Sequence, residues 1–269
     1  MNDEQVRRHY QAAEADPVAQ VRHFLAQRPG PLSGAELAGL DQFHVRGLEA
    51  TRDFIGLLDI AADMRVLDAG SGLGGPARYV AETHGCRVTG VDLTPGFVAV
   101  ATLLAERTGM DQLVDYRTGD LLALDFPDAQ FDVVYTQHVV MNIADRARLY
   151  GEIARVLKPG GTFGFYDVLA VEGQPAPDYP VPWSASAATS FLLTEAQTRA
   201  ALGLAGLQPH IWKDVSAESI AWFGRPRPAS PSPGVALVMG PRFGQMSANF
   251  ARNLNEQRVR LVMGACIRR

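Results

Sequence analysis

Hydrophobic and polar positions recur along this chain with two different periods, and the change of period marks its elements. Between Arg65 and Ala170, apolar runs of strand length take turns with stretches whose apolar residues return every three or four positions. The strands expected are RVLDAG, RVTGVDL, VDYRTGD, FDVVYT and TFGFYDVLA, and the helices between them are PARYVAETH, PGFVAVATLLAERTG and ADRARLYGEIARVLK. That alternation predicts a mostly parallel sheet with crossover helices on both faces, a doubly wound α/β fold.

Upstream, residues 3–28 space Val6, Tyr10, Val18, Val21, Phe24 and Leu25 for one or two amphipathic helices. Pro29, Gly30, Pro31 and Gly34 break the next stretch into a loop with a short helix, and LEATRDFIGLLDI predicts a further helix ending near Asp63. Residues 1–62 therefore read as an N-terminal helical cap, and 63–269 as the main domain. Residues 171–190 are rich in proline and poor in charge, which predicts a semi-rigid surface loop placed as a lid. Beyond it come helix TEAQTRAALGLAG, strand LQPHIWKDV, helix SAESIAWFG, linker RPRPASPSPG, one long helix VALVMGPRFGQMSANFARNLNEQ and strand VRLVMGACI. The two late strands, separated by a helical excursion over 215–257, complete a seven-stranded sheet as an antiparallel pair.

Composition narrows the class. The chain has 269 residues, 47% of them hydrophobic and 20% charged, enough to bury one large core. A net charge of −4 without a lysine-rich run leaves no electrostatic footprint for nucleic acid or an anionic membrane. A small molecule is the expected partner, with the protein a monomer or homodimer. No apolar run reaches the roughly 18 residues of a membrane span. Cys86 and Cys266 lie far apart without metal-ligand spacing, so no metal site is expected and a reducing, cytoplasmic location is.

The glycine turn in RVLDAGSGLGGPARYVA carries the candidate chemistry. Gly70, Gly72 and Gly75 satisfy the dinucleotide spacing G-x-G-x-x-G, while Asp68, Gly70 and Gly72 satisfy the D-x-G-x-G pattern of S-adenosylmethionine enzymes. Glycines between a strand and a helix let backbone N–H groups approach a ligand, which suits either cofactor. Asp92, at the end of the next strand, can accept both ribose hydroxyls of either. Asp68 separates them: an acid before the glycines crowds a pyrophosphate but binds the cationic amino group of a methionine moiety. Asp120 followed by Leu121 offers a carboxylate for an adenine amino group and an apolar cover for its ring. Ser71 and Leu93 sit beside these residues, and Gln137 at the end of FDVVYT packs against the cofactor through its backbone. His138 follows at the carboxyl edge, where open α/β sheets place ligands, and is the candidate proton acceptor. Tyr166 ends the neighbouring strand as a second catalytic candidate; Tyr179 and Trp183 would roof the acceptor.

VLDAGSGLGG, VTGVDLTP, GDLLALDFPDAQFDVVYTQHV and IARVLKPGG, in that order, resemble the successive motifs of class I S-adenosylmethionine-dependent methyltransferases of the small-molecule group. The resemblance covers residues 40–170 well and the rest loosely. It implies a Rossmann-like methyltransferase fold, S-adenosylmethionine as cofactor and methyl transfer to nitrogen, oxygen or carbon of a small metabolite. GLEATRDF followed by DAGSGLGG is similar to phosphoethanolamine, sarcosine/dimethylglycine and sterol or quinone methyltransferases, where the preceding segment folds over the cofactor. The resemblance thus places His44, Val45 and Arg46 near the methionine end, Arg46 with the cofactor and His44 with the substrate, and it implies that His9 and Tyr10 of the first helix close over the site, as N-terminal helices do in the similar enzymes. Phosphoethanolamine enzymes carry a catalytic histidine four residues beyond the position matching His138. Asn142 stands there in this chain, a substrate-contact candidate, so their dyad does not carry over. Two other readings are open at this point: an NAD(P)-dependent oxidoreductase, and a protein that holds the cofactor without transferring a methyl group.

Overall fold

The computed structural model describes residues 16–226 and 234–269, so the candidate closing residues His9 and Tyr10, and most of the expected linker, lie outside the described residues. Three helices precede the sheet: α1 (Pro17–Ala26), α2 (Gly34–Asp41) and α3 (Gly47–Ile55). α1 starts where the Asp16 carboxylate accepts the Val18 amide with Pro at the first turn, and α2 where Ser33 and Glu36 form a reciprocal capping box. The alternating part follows as β1 (Arg65–Ala69), α4 (Gly75–His84), β2 (Arg87–Asp92), α5 (Pro95–Thr108), β3 (Val114–Thr118), β4 (Phe131–Gln137), α6 (Arg146–Val156) and β5 (Leu157–Ala170). The remainder is α7 (Glu195–Leu204), β6 (Leu207–Asp214), α8 (Ser216–Phe223), α9 (Ala236–Met239), α10 (Phe243–Asn255) and β7 (Val259–Arg268).

The seven strands form one sheet in the order β3-β2-β1-β4-β5-β7-β6. β1 to β5 are parallel, and β7 runs antiparallel between β5 and β6, as the late strand pair predicts. Strand pleating sends alternate residues to opposite faces, and the core divides accordingly. Val66, Val133, Tyr135, Tyr166 and Leu261 join one apolar cluster with Phe54 of α3, Val80 of α4 and Phe250 of α10. Leu67, Val134, Phe163 and Val262 join the other with Leu149 and Ile153 of α6 and Leu202 of α7. Both faces are therefore buried, which is why the strands read as continuous apolar runs. A third cluster ties α1 and α2 to α5, α9 and Met246 of α10, so the N-terminal helices and the late helices meet over the end of the sheet.

Three local expectations change. The helix expected over 48–60 stops at Ile55, where Gly56 caps it, and turns carry the chain to β1. The long helix expected over 235–257 is two helices, because Gly240 takes φ +77° and Pro241 removes an amide and disfavours the helical region before it. The proline-rich segment 171–190 is not simply on the surface, since Val181, Trp183 and Ser184 are fully buried. Asn249 and Asn253 of α10 donate to the carbonyls of Pro180 and Asp178, pinning the segment to the helix. Among the described residues no helix is long and apolar enough to cross a membrane.

Candidate active site

β1 ends at a turn whose backbone only glycine takes cheaply. Gly70, Gly72 and Gly74 have φ of +90°, +52° and +75°. The amides of Gly70 and Ser71 donate to the Val91 carbonyl at 2.7 and 3.0 Å, which folds the turn back over β2. A Cβ on Gly70 would run into the Val139 isopropyl group, whereas one on Gly72 would meet nothing within 4 Å, because that α-carbon faces a cavity. Gly70→Ala is therefore expected to destabilise the fold by about 1–3 kcal/mol through strain and overlap, and Gly72→Ala by about 1 kcal/mol. Denaturant unfolding reads both; equal losses would contradict the difference in their surroundings.

The turn is braced from behind. Arg78 of α4 donates to the Leu73 carbonyl at 3.0 Å and pairs with Asp41 of α2 at 2.6 Å, both side chains being buried. Tyr116 of β3 donates to the Gly74 carbonyl at 2.8 Å. Burial pushes the Asp41 carboxyl up to about 6 against the pull of Arg78. Removing one member of such a pair leaves an uncompensated buried charge, so the pair fixes where the N-terminal helices meet the turn.

Asp92, at the carboxyl end of β2, is fixed in turn. Its Oδ2 accepts the Gly72 amide at 2.9 Å and its Oδ1 the Thr94 amide at 2.8 Å. Burial raises its pKa and those amides oppose the rise. Each oxygen keeps acceptor capacity, enough for two vicinal hydroxyls. Asp120, after β3, is held similarly: Oδ1 accepts the Leu122 amide at 2.8 Å, and Leu121 packs beside it. Gln137 and His138 follow β4. His138 takes φ +54°, and its amide donates to the Tyr166 carbonyl at 2.7 Å, which bends the chain away from the sheet.

These residues surround one cavity of about 410 Å³, within the size of small-molecule sites. Gly70, Gly72, Asp92, Leu93, Asp120 and Leu121 make the part beside the ends of β1, β2 and β3, its candidate cofactor end. Gln137 and His138 line it where β4 ends, and Asn142 and Trp183 also belong to its wall. Six expected site residues are not on this wall. Asp68 points to the same face as Val66 and Tyr135, where burial pushes its carboxyl up to about 7 and one oxygen has no partner. Ser71 is buried in the turn. Arg46 pairs with Glu49 and Asp53, and Tyr179 packs against the core.

His44 and Tyr166 stand behind His138. Ring centroids are 6.0 Å apart for His44 and His138 and 4.6 Å for His138 and Tyr166. The Thr51 hydroxyl donates to Gln42 Oε1 at 2.6 Å, so it accepts from His44 Nε2 at 2.9 Å, and Nε2 also lies 3.0 Å from the Gly47 carbonyl. Those partners fix the proton on Nε2, and burial, against the opposing pull of the Gly47 carbonyl, holds the imidazole neutral with a pKa of about 4. Tyr166 donates to the Val45 carbonyl at 3.2 Å and burial raises its phenol. His138 is held well below the ordinary imidazole range, first by burial and then by His44. Its Nε2 is buried without a hydrogen-bond partner, as are both amide atoms of Gln137.

The segment after His138 is stitched to residues 180–191. Asn142 Nδ2 donates to the Trp183 carbonyl at 2.7 Å, the Phe191 amide to the Met141 carbonyl at 2.8 Å, and the Trp183 indole to Ser190 at 2.9 Å. Phe43, Met141, Met239 and Phe243 complete the wall. Sequence reading misses these four, since their apolar character gives only the usual signal of core packing.

Known proteins similar to this chain include methyltransferases. Residues 67–165 match the family described as a methyltransferase domain. Among curated relatives, sterol 24-C-methyltransferase of Neurospora crassa is 40% identical over 115 residues, 43% of this chain and 30% of that protein. Phosphoethanolamine N-methyltransferase 3 of Arabidopsis thaliana is 33% identical over 135 residues, 50% of this chain and 27% of that protein. The match thus spans less than a third of each relative's length. Among solved structures, geranyl diphosphate C-methyltransferase from Streptomyces coelicolor A3(2), with Mg2+, geranyl-S-thiolodiphosphate and S-adenosyl-L-homocysteine, superposes with a TM-score of 0.74. That match is 20% identical and covers 100% of this chain and 98% of that one.

Proposed function

We propose that this chain, which carries a class I S-adenosylmethionine-dependent methyltransferase domain, transfers a methyl group from S-adenosylmethionine to a small molecule. The single observation that carries the reading is the convergence of the Gly70–Gly72 turn, Asp92 and Asp120 from three strand ends on one cavity. Those residues fit the cofactor: the bare Gly72 α-carbon admits it, the two free lone-pair directions of Asp92 match its ribose hydroxyls, and Asp120 with Leu121 matches an aminopurine. When bound, the cofactor supplies an activated sulfonium methyl. The chain's own task is to exclude water and hold the acceptor in line, which can carry much of the rate. Cys86 and Cys266 are both free and buried, in keeping with a reducing compartment such as the cytoplasm.

His138 acts on the acceptor. Because its pKa lies well below the ordinary range, the imidazole stays neutral through physiological pH and is a weak base, so its part is to accept a hydrogen bond and orient the acceptor. His138→Gln is expected to lower turnover by about 10–100-fold, the worth of one oriented hydrogen bond. The parent's rate should then show no acid limb from His138 between roughly pH 6 and 8, since the neutral form persists as pH falls past the usual imidazole pKa. A limb in that range, lost in the variant, would make His138 a general base instead.

The reading is tested by incubating methyl-tritiated S-adenosylmethionine with the protein and a panel of alcohols, phenols, amines and alkenes. Label is expected in at least one extracted product. Binding of S-adenosylhomocysteine with no label moved would favour a protein that holds the cofactor without using it.

A further inference from the structure

We propose that the acceptor is a neutral, largely apolar molecule with one hydrogen-bonding group, and not a phosphate ester; this rests on the methyl-transfer reading and names the substrate class of the same cavity. Away from the cofactor end, the wall is made by Phe43, Met141, Ile143, Trp183, Met239 and Phe243. Among the described residues no lysine or arginine lines the cavity. Three nearby arginines are engaged elsewhere: Arg46 with Glu49 and Asp53, Arg78 with Asp41, and Arg146 with the carbonyls of Val140 and Phe191.

A phosphate taken out of water into this space would lack the charge-assisted donors that normally hold it. The acid it would instead face is Asp145, since Asp92 and Asp120, the other acids of the wall, belong to the cofactor end. A divalent cation can bridge phosphate to protein through one or two carboxylates and retained waters, so the test below includes Mg2+. Among the described residues no group of three or more His, Cys, Asp and Glu side chains is arranged to hold a metal ion.

Neutral polar groups remain. Gln137 is 9% exposed and lines the cavity with Oε1 and Nε2 both unpartnered, and the buried Nε2 of His138 is unpartnered as well. Buried polar atoms without partners are rare and costly, so a ligand that satisfies them gains both affinity and orientation. One amide that donates and accepts, beside one imidazole, matches a hydroxyl or carbonyl on an apolar skeleton.

The test follows the fluorescence of N-phenyl-1-naphthylamine, a neutral apolar probe, on the full chain with and without S-adenosylhomocysteine. Geraniol and geranyl diphosphate, which share a carbon chain and differ in the phosphates, compete for the probe, the latter with and without Mg2+. Geraniol is expected to displace the probe at a concentration at least about tenfold lower than the diphosphate under every condition, a difference near 1.4 kcal/mol. Met239→Arg is expected to weaken the probe about tenfold or more by placing a charge on the wall. Equal or tighter displacement by the diphosphate, absence of probe binding, or a Met239→Arg protein that binds the probe unchanged would each overturn the proposal. S-adenosylhomocysteine binding is read separately. Its failure with the neutral preference intact strikes the methyl-transfer reading and leaves the acceptor class standing.

Discussion

Asp92→Ala is expected to weaken S-adenosylhomocysteine binding by about 2–4 kcal/mol, roughly 30- to 1,000-fold, while leaving the fold intact. The estimate counts two charge-assisted hydrogen bonds to ribose hydroxyls. Both carboxylate oxygens are already oriented by the Gly72 and Thr94 amides, so little freedom is lost when a ligand binds them. Alanine also leaves the Gly72 amide without its partner, which loosens the turn where the cofactor approaches. Asp92→Asn separates the two effects, since its amide oxygen restores one acceptor without the charge and should recover part of the loss. Calorimetric titration measures both variants, and an Asp92→Ala protein with parental affinity would remove Asp92 from the site.

Trp183→Ala is expected to cost about 3–5 kcal/mol of stability and to impair the acceptor end of the cavity more than the cofactor end. Trp183 is only 1% exposed and packs edge-on against Phe250, with ring centroids 4.9 Å apart. Its indole donates to Ser190, and its carbonyl holds Asn142 beside the cavity. The side chain is thus both core and wall, and its loss opens a void against α10. Trp183→Phe should retain most of the stability, so the comparison of acceptor and cofactor affinity is best made there. Equal damage to both ligands in Trp183→Phe would mean that residues 180–191 serve the core alone.

The sheet was legible because strand periodicity is local: Val66 and Leu67, or Val133 and Val134, are neighbours in sequence that serve opposite cores. The candidate cofactor end was legible as a set of converging residues for a similar reason, since a positive-φ turn, the acid ending β2 and the acid after β3 are each set by a few adjacent residues. Tyr166 shows where such reading stops. It pairs with Gln137 at the end of β4 while its own strand runs on to Ala170, and the pleat turns its ring onto the face of Tyr135 and Phe54, so the cavity wall is made by its neighbour His138. Placement on a strand was readable; the parity of its side chain relative to the cavity was not. The acceptor wall was less legible still. Phe43, Met239 and Phe243 reach it only because α2, α9 and α10 converge through tertiary packing, and the Gly240-Pro241 break that separates α9 from α10 was present in the chain as a turn signal. His44, placed near the methionine end by resemblance, is instead fastened by Thr51 and Gly47 behind His138.

Isothermal titration of the full chain with S-adenosylhomocysteine, with NAD in a parallel titration, tests the central claim most directly, because both ligands carry a ribose for Asp92 and an adenine for Asp120 but only NAD brings a pyrophosphate, which would meet a wall whose charged groups are carboxylates. One S-adenosylhomocysteine is expected to bind per chain at micromolar or tighter affinity, about −8 kcal/mol or more favourable, with no heat from NAD. Saturable NAD binding without S-adenosylhomocysteine binding would contradict the assignment of the cavity to methyl transfer.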